Sequence, residues 1–159
     1  FILPAAEQAA GMIWNYSTRE PEGDWYDFSF DDSEWSSGQA GFGYRGRYRV
    51  FGNGTAWDTT DLWLRREFLL EQIPEGRILL NFVSFNCISA VYLNGEKLAV
   101  LSPTKDHHQT IDLDMALKRL LREGRNVIAV YAYSKDAPTD QGRGIKIHYA
   151  DYGLIEEEY

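Results

Sequence analysis

Four of the five tryptophans, Trp25, Trp35, Trp57 and Trp63, fall in or beside turn-rich stretches that also carry carboxylates and arginines. That combination suits a sugar. The apolar C–H face of a pyranose packs on an aromatic ring, and flanking Asp, Asn and Arg side chains hydrogen-bond its hydroxyls. The competing role is core packing, and it fits Trp35 and Trp63 better because each stands in a segment patterned as scaffold. Trp57, beside Gly54, Thr55 and Asp58, is the best candidate for an exposed ring. Trp25, Tyr44, Arg45, Trp57 and Asp58 are therefore the candidate ligand-binding residues.

Other constellations carry less chemistry. Asp31-Asp32 and Asp58/Asp61 are paired carboxylates that acid–base catalysis or calcium could use. Adjacent carboxylates point in different directions, so Asp31-Asp32 fits better a turn that caps its own backbone. A structural calcium stays open, although the loop lacks a recognisable ligand spacing; no other cofactor and no metal-ligand set is expected. His107-His108 and the lone His148 have no Cys or carboxylate at metal-ligand spacing and read as solvated. Cys87 sits in an apolar run and reads as a buried, inert thiol. Gly41-x-Gly43-x-x-Gly46 matches the dinucleotide fingerprint in form only, since neither the preceding strand nor the following helix is present. Arg45, Arg47 and Arg49 alternate with Tyr44 and Tyr48, a pattern that serves acid pairing, ring stacking or plain surface charge. No nucleophile elbow and no P-loop occurs.

The bulk properties narrow the class. A chain of 159 residues holds one domain with a substantial core. A net charge of −8 argues against nucleic acid, because phosphate contact needs a basic face. A single cysteine excludes an intramolecular disulfide framework. No run approaches the roughly 20 apolar residues that span a bilayer, so no membrane span is expected. The chain opens on Phe1 and shows no basic n-region or long apolar h-region. We read it as a fragment of a longer protein. Residues 1–11 are expected to be a linker or the end of a preceding segment, 12–150 the domain, and 151–159 a solvated acidic tail.

The elements that must position these residues are strands. Met12 to Tyr16 is a short apolar-aromatic run. Trp25 to Tyr48 has no sustained period and is rich in turn formers, a length of loop that tends to be functional or packed by its own side chains. Asp61 to Leu70 alternates, with Leu62, Leu64, Arg66, Phe68 and Leu70 on one face and Trp63, Arg65, Glu67 and Leu69 on the other. Arg77 to Phe85, Ser89 to Leu93, Lys97 to Leu101, His108 to Asp112, Asn126 to Tyr133 and Gly144 to Tyr149 read as further strands. Asn94-Gly95 predicts a type I′ hairpin turn. Leu113, Leu117, Leu120 and Leu121 recur at helical spacing, with Asp112 or Asp114 as N-cap and Gly124 past the end. Seven or eight strands with one short helix predict an all-β sandwich or jelly roll.

Several phrases add a resemblance: Trp25…Phe30-Asp31-Asp32-Ser33-Glu34-Trp35, Gly41-Phe42-Gly43-Tyr44, Thr55-Ala56-Trp57, Asp61 to Phe68, Val91-Tyr92-Leu93-Asn94-Gly95, and Leu121 to Val130. In this order they resemble the galactose-binding-domain-like jelly rolls of multidomain bacterial secreted enzymes such as β-galactosidase-type glycoside hydrolases. One departure stands at Phe85-Asn86-Cys87-Ile88, where such domains often carry an acidic pair. The resemblance implies an exported bacterial protein, periplasmic, cell-surface or extracellular. It implies a non-catalytic module that binds carbohydrate or supports a neighbouring catalytic domain of the same polypeptide. The alternative is a purely structural domain that braces that neighbour and has no ligand of its own. A hydrolase with its site in the long loop ranks last.

Overall fold

The computed structural model describes residues 2–4, 12–43, 54–102, 108–135 and 149–157. Eleven strands and one helix lie in them: β1 (Ile13–Ser17), β2 (Ser36–Gln39), β3 (Phe42–Gly43), β4 (Thr55–Ala56), β5 (Asp61–Leu70), β6 (Arg77–Phe85), β7 (Ile88–Leu93), β8 (Glu96–Leu101), β9 (His108–Leu113), α1 (Met115–Lys118), β10 (Gly124–Tyr133) and β11 (Tyr149–Glu157). Six strands form one sheet in the order β2-β1-β5-β10-β7-β8, and five form the other in the order β4-β3-β11-β6-β9. The chain is an all-β sandwich of the expected jelly-roll kind. Apart from the β7–β8 hairpin, successive strands from β5 to β11 alternate between the sheets.

Alternation along each strand builds the core. Leu62, Leu64, Phe68 and Leu70 of β5 meet Val91 and Leu93 of β7 and Ile128, Val130 and Ala132 of β10 in one buried cluster. The facing sheet contributes Ile78, Leu80 and Phe82 of β6 and Tyr152 and Leu154 of β11. Each Val, Leu, Ile or Phe side chain among them contributes about 1.5–3 kcal/mol by leaving water. The Trp14 and Tyr152 rings join the sheets, 6.3 Å between centroids. Ser89 Oγ and Tyr152 OH, 2.5 Å apart, add a buried hydrogen bond across the same gap.

The hairpin turn is as expected: Asn94 (φ 51°) and Gly95 (φ 91°) both adopt the left-handed conformation that a type I′ turn requires. Asn94 does more than turn the chain. Its side chain donates to Leu120 O (2.7 Å) and to Asn126 Oδ1 (2.9 Å) and accepts from Val127 N (2.8 Å). Asn126 in turn donates to Arg122 O (2.7 Å). The β7–β8 turn is thereby bonded to the connection that leads into β10.

Three expectations need correction. The helix is only Met115–Lys118, capped by the Asp114 carboxylate on Ala116 N and Leu117 N. Leu113 belongs to β9, and Gly124 (φ 83°) opens β10. The stretch expected as a solvated acidic tail forms β11 up to Glu157, paired with β6 along its whole length. Tyr152 and Leu154 drive this by alternating into the core, which the acidic composition around them obscured. Residues 2–4 are no linker either: Leu3 is buried and exchanges backbone hydrogen bonds with Leu154 at 2.9 and 2.6 Å. The expected strand over Gly144 to Tyr149 lies outside the described residues up to Tyr149.

A candidate ligand groove on the outer sheet face

The side chains of β5 that miss the core point to the outer face of the six-stranded sheet. Arg65 is the centre of this face. It is 1% exposed, a burial that a guanidinium tolerates only when paired and hydrogen-bonded. Nε donates to Asp32 Oδ2 at 2.8 Å, Nη1 to the carbonyls of Trp25 (2.7 Å) and Asp27 (2.9 Å), and Nη2 to that of Phe30 (3.2 Å). Its Cζ lies 5.3 Å from the Phe30 ring centroid. One side chain thus binds the irregular loop 24–32 to the sheet.

Two further arginines hold the same loop. Arg125 donates to Phe28 O (3.0 Å) and pairs with Glu67. Phe28 lies under both the Arg125 and Arg122 guanidinium carbons, at 4.4 and 4.8 Å from its ring centroid. The hydrogen bond from Arg125 lowers the Glu67 pKa, and the same contact raises that of Arg125. Inside the loop, Asp27 Oδ1 accepts from Ser29 N (2.8 Å) and Asp31 Oδ1 from Ser33 N (3.0 Å). Asp31 therefore caps its own turn, as expected. Asp32 departs from that role and pairs with Arg65, with Asn15 Nδ2 as its second donor at 3.1 Å.

The anchored loop forms one wall of a groove of about 510 Å³. Its lining is Thr18, Glu20, Trp25, Asp61, Trp63, Tyr92 and Tyr131. The strand register brings these rings together from distant positions, because Tyr131 of β10 pairs with Trp63 of β5. Their centroids are 5.2 Å apart. Trp25 meets Tyr92 edge-on at 5.4 Å, and Tyr26 stacks on Tyr92 at 4.6 Å. Asp61, the first residue of β5, accepts from Tyr131 OH at 2.5 Å and from the Thr60 hydroxyl. Burial, and then the bond to Asp61, raise the Tyr131 pKa, so its hydroxyl stays protonated and donates to the carboxylate. The negative charge of Asp24 raises the Tyr26 pKa in the same direction. Groove size and lining match a small-ligand site, with aromatic walls and a few fixed polar groups.

The candidate residues divide. Trp25 lines the groove. Asp58 is exposed and is not part of its lining. Trp57 is 0% exposed and belongs to the core cluster, so its ring offers no face to a ligand. The expectation of an exposed Trp57 fails because the turn-rich flanks pair as strand: Thr55 N and Trp57 N donate to the carbonyls of Gly41 and Gly43. Tyr44 and Arg45 lie outside the described residues, as do Arg47, Arg49, His107 and His148. The glycines Gly41 and Gly43 serve that pairing. Cys87 is buried, as expected.

Thr18, Glu20, Tyr92 and Tyr131 are the groove residues that sequence reasoning missed. The two tyrosines stand in segments that read as strands, and only the register shows that they converge with Trp63. Among the described residues no cluster of three or more His, Cys, Asp or Glu converges as a metal site. No helix among them is long and apolar enough to cross a membrane.

The fold and groove define an all-β sandwich domain with an aromatic recess on one outer face. Solved structures share that fold as part of larger chains. A β-glycosidase from Bacteroides vulgatus matches 88% of this chain with 19% of its own, at 22% identity and a TM-score of 0.56. Bacteroides uniformis β-glucuronidase 2 matches 87% of this chain with 17% of its own, at 17% identity and a TM-score of 0.61. A β-glucuronidase from an uncultured Clostridium matches 89% with 28% of its own, at 16% identity and a TM-score of 0.53. The chain spans less than a third of each of these proteins and resembles one domain of them. No family model and no curated protein matches the chain.

Proposed function

We propose that this chain is a non-catalytic accessory domain of a larger, exported bacterial glycoside hydrolase, and that its outer-face groove holds a carbohydrate. The likeness to one domain of β-glycosidases and β-glucuronidases supports the setting. The observation that carries the ligand is the groove itself. Trp25, Trp63, Tyr92 and Tyr131 offer ring surface, and Thr18, Glu20 and Asp61 offer hydroxyl-bonding groups beside it. Arg65 fixes the wall that bears Trp25, so little ordering accompanies binding.

Calorimetric titration with a panel of plant and host oligosaccharides tests the sugar site. At least one oligosaccharide should bind, and Trp25→Ala should weaken it by about tenfold or more, the loss typical of an aromatic anchor. An unbound panel, or binding indifferent to Trp25, overturns the proposal of a sugar site. A second reading has an observation of its own. Ile88, Val100 and Tyr133 are exposed on the same face, and they favour a brace against a neighbouring domain.

A further inference from the structure

On the reading that the groove holds a sugar, its charge narrows which sugar. The polar lining is Thr18, Glu20 and Asp61, with no lysine or arginine among the described residues that line it. Arg65 lies on the adjacent row of β5, but its donors are engaged with Asp32 and three loop carbonyls. Lys97 places its Nζ 5.7 Å from the Tyr92 ring centroid, outside the lining. Among the described residues the side-chain donors that reach Asp61 are Tyr131 OH and Thr60 OH, both neutral. Aromatic faces are themselves negative and attract cations. A uronate carboxylate entering this recess meets like charge from Glu20 and Asp61, whereas an ammonium meets two carboxylates and the ring faces.

We propose that the groove selects a cationic amino sugar, an oligosaccharide whose amine is free and protonated. Three probes separate the cases: a glucosamine oligomer, its N-acetylated counterpart of equal length, and a galacturonate oligomer. All are titrated into the chain at about pH 5, where the sugar amines carry their protons and ordinary carboxylates are still largely ionised. The glucosamine oligomer should bind on the order of tenfold tighter than the N-acetylated one, and the galacturonate oligomer should not bind. Glu20→Gln should cut that preference severalfold, by weakening the glucosamine oligomer far more than the N-acetylated one. Glu75→Gln, an exposed carboxylate at a distant turn, controls for the overall charge of −8 and should change nothing.

Equal affinity for the glucosamine oligomer and its N-acetylated counterpart overturns the proposal, as does galacturonate binding. So does an equal effect of Glu20→Gln and Glu75→Gln, which would mark attraction to the whole surface. If the N-acetylated oligomer binds without preference and Trp25→Ala removes it, the sugar site stands and the amine selectivity falls. If no oligomer binds, neither here nor across the wider panel, both fall. Circular dichroism of each variant establishes that it is folded.

Discussion

Replacing Arg65 by methionine keeps the length of the side chain and removes its charge and donors. The change leaves the Asp32 carboxylate, 17% exposed, with Asn15 as its described donor. It also takes the guanidinium donor from three loop carbonyls. Breaking a buried ion pair by removing one partner costs about 3–5 kcal/mol. Domains of this kind are stable by only about 5–15 kcal/mol, so the loss is a large fraction of the total. At about 2–4 °C per kcal/mol for a chain of this size, the melting temperature should fall by about 6–20 °C. Scanning calorimetry or a thermal melt followed by circular dichroism reads the change. Arg65→Lys keeps the charge but lacks the planar fork that reaches four acceptors, so it should recover only part of the loss. Asp32→Asn on the Arg65→Met background should cost less than it does on the parent, because the carboxylate it neutralises is then already stranded. A fall of less than about 2 °C for Arg65→Met, against this 6 °C floor, refutes the anchor. So does strict additivity of the two changes.

Two further perturbations test other parts of the fold. A methyl group added at Gly54 would stand 1.6 Å from the Gly41 carbonyl oxygen, so Gly54→Ala must part β3 from β4. It should cost about 1–3 kcal/mol by denaturant titration, and an unchanged midpoint would show that the two backbones do not approach so closely. Tyr131 bears on alkaline stability. Its folded pKa lies above the ordinary 10.0, so the folded state favours the neutral phenol. That contribution is fully present below about pH 10 and is lost as pH rises toward the folded value. Stability of the parent should therefore decline more steeply above about pH 10 than that of Tyr131→Phe, and parallel declines would contradict the half-buried setting of Tyr131 and its bond to Asp61.

The fold was legible because each long strand alternates by itself. β5 and β6 were bounded as observed from their own residues, and Asn94-Gly95 declared its turn by chemistry alone. The failures share one cause, which is that partners were out of view. Trp57 lies among residues that form turns when alone, and pairing with β3 converts them into strand that buries its ring. Tyr152 and Leu154 alternate, but acidic neighbours made the segment look like solvated chain. Arg65 sits at an outward position, which alternation marks as facing away from the core and cannot mark as covered by a distant loop.

The phrases that carried the family resemblance gain a physical meaning from this. Phe30-Asp31-Asp32 and the Trp63 to Arg66 segment look unrelated in sequence, yet Asp32 and the Phe30 carbonyl are partners of Arg65. Asn94-Gly95 and the Leu121 to Val130 segment are likewise joined, through Asn94 and Asn126. Gly41-Phe42-Gly43 and Thr55-Ala56 are joined too, as the paired strands β3 and β4, so each of these phrases carries one side of a contact made by another. Such anchors fix where the loop lies, while the rings that the loop presents remain free to differ. Trp25 reaches the groove because its carbonyl is bonded to Arg65, and that bond constrains the backbone without specifying the side chain. The ligand therefore has to be read from the groove lining of this chain.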